Sequence, residues 1–176
     1  MAFQGVDFIL KEFEKLKDEQ NKRIEFRDQM IYLTLAAIGT VFSFALGNPK
    51  LAVTLLVLPF VCLIMGWTYL ANDLKITQIN SFIKDILIDE LNKRLTVLPI
   101  DATKSWESFV IKDRTRVPKK KIQLMVDLFT FVLPAFIAII SFYIKSSDLS
   151  WYDWLIMDIE LATLVFLTWQ FYKAAK

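Results

Sequence analysis

Residues 51–70 read LAVTLLVLPFVCLIMGWTYL, twenty consecutive positions without a charge. As an α-helix they rise about 30 Å at 1.5 Å per residue, the thickness of a bilayer's hydrocarbon core. Upstream, Gly47-Asn48-Pro49 makes a turn, and before it lies a second apolar block from Met30 to Leu46. Downstream, a third block runs from Ile122 to Ile144, interrupted by Asp127, and a fourth from Trp151 to Tyr172 carries Asp158 and Glu160. The whole chain is 55% hydrophobic with a mean hydropathy of +0.42, above the roughly 45–50% apolar content usual for soluble domains. The spacing predicts an all-α integral membrane protein of four transmembrane helices, paired as two hairpins with cytoplasmic helical extensions.

Lysine and arginine set the orientation of such a chain. Six precede the first span, eleven lie between Leu70 and Ile122, and Lys173 and Lys176 follow the fourth, whereas only Lys50 and Lys145 occupy the two short turns. Both termini and the central segment are therefore expected in the cytoplasm. The predicted division is a cytoplasmic helix over 1–29, hairpins over 30–70 and 122–172, a cytoplasmic helical segment over 71–121 and a tail over 173–176. Tyr32, Trp67, Tyr69, Trp151, Tyr152, Trp154, Trp169 and Tyr172 fall near the span ends, as an interfacial aromatic belt requires. The first 29 residues carry no short apolar core with a cleavage site, so no cleaved signal peptide is expected.

Composition removes several function classes. Histidine is absent and Cys62 is the single cysteine, which excludes histidine-based triads, histidine metal sites and an intramolecular disulfide. No Gly-rich phosphate loop is present, and no cofactor is expected.

Outside the spans, Val6, Ile9, Phe13 and Leu16 share one helical face, and Ile76, Ile79, Ile83, Ile86 and Leu91 line one side of an unbroken stretch from Leu70 to Leu95. These stripes pack on each other or on neighbouring subunits, or else they lie flat on lipid. Arg114, Arg116, Lys119, Lys120 and Lys121 form a basic cluster just before the third span. It fixes topology and meets anionic headgroups, or it receives a nucleotide or nucleic acid.

Inside the spans, Asp127, Asp158 and Glu160 stand where an acid costs about 2.5–3.5 kcal/mol, so they face protein or water. Gln123, Asp127 and Thr130 make a polar stripe on span three; Asp153, Glu160, Thr163 and Gln170 share a face of span four. Asp158 lies about 200° around the helix from Glu160 and points elsewhere, with Lys145 its nearest cationic candidate. The acids either hold helices together or line a path for ions or protons. Because they point apart, paired-carboxylate enzymology is not expected. Gly39, Ser43 and Gly47 recur every four residues, a small-residue face that admits a close helix within the protomer or between protomers. Pro59 and Pro134 are expected to kink spans two and three.

In this layout (two hairpins, the extensions Val6 to Arg27 and Leu70 to Leu95, and the cluster Arg114 to Lys121) the chain resembles the small multi-spanning membrane effectors of bacterial antiviral systems. That resemblance implies a homo-oligomeric channel or membrane-perturbing effector in the bacterial inner membrane. It would be gated through cytoplasmic helices by a partner protein, a nucleotide or a nucleic acid. The other class left standing is a membrane anchor that recruits a soluble protein.

Overall fold

No proline interrupts the chain between Ala2 and Gly47, and helix α1 runs the whole of that length. It stops where Pro49 can no longer donate an N–H to the carbonyl of Ala45. That orphaned carbonyl is satisfied from elsewhere, by the Lys145 ammonium at 3.0 Å. A computed structural model describes residues 2–94, 116–146 and 149–175. After α1 come a 3₁₀ helix, Pro49–Leu56, then α2, Val57–Phe82, a π-helical turn, Ile83–Leu87, and α3, Ile88–Arg94. Beyond these, α4 spans Arg116–Asp127, a second π turn Leu128–Val132, α5 Leu133–Lys145 and α6 Trp151–Ala175. Among the described residues there is no strand.

Four stretches are helical, long and apolar enough to cross a membrane: Val6–Gly47, Leu51–Lys93, Lys120–Lys145 and Trp151–Ala175. The chain is thus compatible with an integral membrane protein. It divides into two compact units, one of Met1–Phe26 with Asn72–Lys119, the other of Arg27–Ala71 with Lys120–Lys176.

Neither expected proline kink is a simple one. Pro59 is the third residue of α2, where its missing N–H is one the helix would leave unbonded anyway. The departure from α geometry falls earlier, in the 3₁₀ turns of Pro49–Leu56. Pro134 follows directly on the second π turn, in which Leu133 N–H bonds Leu128 O. The wider turn re-routes the backbone hydrogen bonds around the absent donor.

The first unit is an antiparallel pairing of α1 with the second half of α2 and α3. Ile9 is buried in one cluster with Ile79, Ile83, Leu87 and Leu91, and Val6, Phe13 and Leu16 pack against it. At the other end Arg23 Nη1 donates to Asn72 Oδ1 at 3.3 Å while its other nitrogens bond Glu19. The two predicted stripes therefore pack on each other, with one correction. Ile86 is 56% exposed and Leu87 takes its place in the core. Burial at 79, 83, 87 and 91 advances four residues per turn, more than the 3.6 of an α-helix. The π turn at Ile83–Leu87 supplies the extra residue. Ile83 is fully buried, so Ile83→Ala is expected to cost about 2–5 kcal/mol. Hydrogen exchange should show lost protection across Val6–Leu16 together with Ile79–Leu91.

The second unit has two apolar clusters. One joins Ala45, Leu55, Leu58, Cys62, Ala135, Ala138, Phe142, Met157 and Leu164; the other joins Met30, Tyr69, Leu70, Phe131, Leu167 and Phe171. Small residues let backbones approach where lipid provides no hydrophobic drive between helices, and Ala135 and Ala138 are fully buried here. The tightest approach is at Gly66, where an added Cβ would stand 3.0 Å from Leu167 Cδ2 and 3.2 Å from Phe131 Cβ. Beside it Phe131 stacks on Phe171 with ring centroids 5.8 Å apart.

Candidate functional site in the apolar helices

α6 begins at a reciprocal cap. Ser150 N–H donates to Asp153 Oδ2 at 2.9 Å, and Ser150 Oγ accepts from Tyr152 N–H at 3.3 Å. Ser-x-x-Asp is a capping-box variant, and it fixes where the helix starts. With that origin set, Glu160 lies nine residues in, about 14 Å along the axis, and its side chain points into the bundle.

Glu160 is fully buried, and neither carboxylate oxygen has a hydrogen-bond partner among the described residues. One turn to either side, Met157 and Leu164 belong to the apolar cluster that also holds Leu58, Cys62, Ala135 and Ala138. Three residues on, Thr163 offers a hydroxyl, but it donates to the backbone carbonyl of Glu160 at 2.8 Å. An unbonded buried polar group costs about 1–3 kcal/mol by mutational measure. This carboxyl is therefore held at a cost that packing must offset.

Asp158 faces the other way, exposed on the outside of α6, as the 200° separation predicts. Lys145 does not meet it, being taken up by the Ala45 carbonyl, and Asp158 makes no ion pair among the described residues. A carboxylate on the outer face of an apolar helix is the arrangement that lipid tolerates least.

Asp127 is in a third situation. It is buried and accepts from Gln123 Nε2 at 2.9 Å, and the same nitrogen donates to Tyr69 Oη at 2.6 Å. Tyr69 is consequently buried at 2% exposure, not an interfacial ring as its position suggests. Of the predicted stripe of Gln123, Asp127 and Thr130, Gln123 thus ties α4 to α2, Asp127 bonds to it, and Thr130 is buried in the π turn that follows. The three acids are not brought together: one is bonded inside, one is unbonded inside, and one is outside. Among the described residues no cluster of acids and cysteines could hold a metal ion.

The small-residue face of α1 is open. Gly39, Ser43 and Gly47 are all exposed, and a Cβ at Gly39 or Gly47 would meet nothing within 4 Å. The close-approach glycine of the protomer is Gly66, whose isolated place among large residues gave no four-residue repeat to notice. Of the basic cluster, Lys120 and Lys121 are exposed at the start of the third apolar stretch. Arg114 and the side chains of Arg116 and Lys119 lie outside the described residues.

No protein-family model matches the chain, and no curated protein and no solved structure matches it.

Proposed function

We propose that the chain assembles in the bilayer as a homo-oligomeric channel or membrane-perturbing effector, gated through the helices of its first unit. The observation that carries this reading is Asp158. It stands exposed on an apolar helix without an ion pair among the described residues, and facing lipid there costs about 2.5–3.5 kcal/mol. A second copy, or water held between copies, removes that cost. The open Gly39, Ser43 and Gly47 face gives such a copy a surface for close approach.

In this reading the apolar stretches form two hairpins, and the first unit stands on the cytoplasmic side with both termini. Nineteen basic residues lie on that side against Lys50 and Lys145 on the other. The antiviral setting comes from resemblance of layout, and the membrane is then the bacterial inner membrane. The trigger acting on the first unit is a cytoplasmic protein, a nucleotide or a nucleic acid.

A second reading, a membrane anchor for a soluble partner, draws on a different observation. Phe8 and Ile86 of the first unit are 68% and 56% exposed, apolar surface that a docked protein would cover.

The mass of the purified protein in detergent, corrected for bound detergent, separates the two. A discrete oligomer larger than a dimer is expected, with currents in planar bilayers that Asp158→Asn abolishes. A stable monomer without currents sinks the channel, since four helices enclose no path of their own, and leaves the anchor.

A further inference from the structure

We infer that the groove between the third and fourth apolar helices is a binding site for one anionic phospholipid. One acyl chain lies in the groove and the headgroup phosphate rests on Lys120, Lys121 and Lys173. The inference needs the chain to span a bilayer; it does not depend on an oligomer or a pore.

The groove has a volume of about 570 Å³ and is lined by Leu124, Leu128 and Phe136 on one side and Val165, Trp169 and Tyr172 on the other. It offers almost nothing to a polar ligand. Its one aliphatic hydroxyl, on Thr168, already donates to the Leu164 carbonyl at 2.8 Å. From Leu124 to Phe136 it runs about 18 Å at 1.5 Å per residue. One leaflet of a hydrocarbon core is about 15 Å thick, so the length suits a single extended acyl chain. The alkyl occupant is thus set by shape and by a lining surface that is almost wholly carbon.

Charge selects the headgroup. Lys120 and Lys121 precede Leu124 by four and three residues, one turn back on the face that lines the groove. Lys173 follows Tyr172, and its ammonium lies 5.6 Å from the centroid of the Trp169 ring. The groove and all three lysines belong to the second unit. All three are exposed and none makes an ion pair among the described residues. Asp127, the one acid on α4, is buried and accepts from Gln123 on its own helix. Three exposed cations thus stand at one end of an acyl-sized groove, at the depth where headgroup phosphates lie.

Trp169 reports on occupancy directly. The full chain carrying Trp67, Trp106, Trp151 and Trp154 as phenylalanine would be placed in phosphatidylcholine vesicles. These would contain a minor fraction of either brominated phosphatidylglycerol or brominated phosphatidylcholine. Trp169 fluorescence should be quenched by the anionic lipid at a roughly hundredfold lower fraction than by the zwitterionic one, given the attraction of three lysines. The triple change Lys120→Gln, Lys121→Gln, Lys173→Gln should erase the difference while circular dichroism shows the helices intact. Val165→Phe, which fills the groove at an exposed position and leaves the lysines in place, should erase it too. Equal quenching by both lipids in the unaltered groove overturns the proposal. So does a preference that survives Val165→Phe, since that would be headgroup attraction without an acyl site.

Discussion

Leucine at position 39 is expected to leave the single chain folded and to dissolve the proposed oligomer, whereas leucine at position 66 is expected to wreck the fold of the chain itself. The two glycines look alike in sequence, each a break in an apolar run. Their surroundings differ completely. A Cβ at Gly39 meets no atom within 4 Å, while one at Gly66 is already at 3.0 Å from Leu167 and at 3.2 and 3.3 Å from Phe131. Gly39→Leu also exchanges the poorer helix former for the better one, worth up to about 1 kcal/mol to an isolated helix. Its thermal midpoint in detergent should hold or rise. Only the close approach of another helix to the face of Gly39, Ser43 and Gly47 is lost, so the detergent-corrected mass should fall to that of a monomer. Gly66→Leu forces four carbons into filled space. A cost of about 3 kcal/mol, or roughly 6–12 °C in midpoint for a chain of this size, is expected. If the leucine at 39 leaves the oligomer unchanged, α1 is not the contact between copies and the assembly must be sought on the face of Asp158. If the leucine at 66 is harmless, α2 does not pack as described.

That contrast also marks how far the sequence could be read. The four apolar helices were legible because a run such as residues 51–70 has only one economical fate in water. The two stripes that hold Ile9 and Ile79 with Ile83 were legible from periodicity, whereas their packing on each other, one of three fates that periodicity leaves open, needed the fold. The phase slip that buries Leu87 and exposes Ile86 was not, because a π turn leaves no mark in composition, and periodicity arguments assume 3.6 residues throughout. Tyr69 misled for a related reason. A tyrosine near the end of an apolar run suits an interface, and only the fold brings Gln123 within reach of its hydroxyl. Lys145 is the cation nearest Asp158 in sequence, yet the Ala45 carbonyl that Pro49 leaves unbonded takes it first. The opposition of Asp158 and Glu160 followed from helix geometry alone. That Glu160 would be left without any partner needed the identities of its spatial neighbours, and those come from other helices.

Glu160→Leu is expected to make the protein more stable and to abolish the proposed conduction. The carboxyl has zero exposure, two unbonded oxygens and apolar residues one turn above and below. Leucine is close to glutamate in volume, so the exchange leaves no large cavity and no severe clash. Removing an unbonded buried polar group should return about 1–3 kcal/mol, or roughly 2–12 °C in the detergent midpoint. Glu160→Gln should give no such gain, because the amide brings as many unsatisfied atoms as the acid it replaces. Comparing the three proteins therefore separates polarity from shape. A more stable leucine variant would show that packing alone does not account for an acid at this position. On the channel reading, bilayer currents of the stabilised leucine variant should fall to background while its oligomeric mass stays that of the parent. Full currents from a more stable Glu160→Leu protein would leave the acid without a role in conduction and shift the weight to Asp158. A destabilised leucine variant would mean that Glu160 has a bonding partner after all, most simply one supplied by a neighbouring copy.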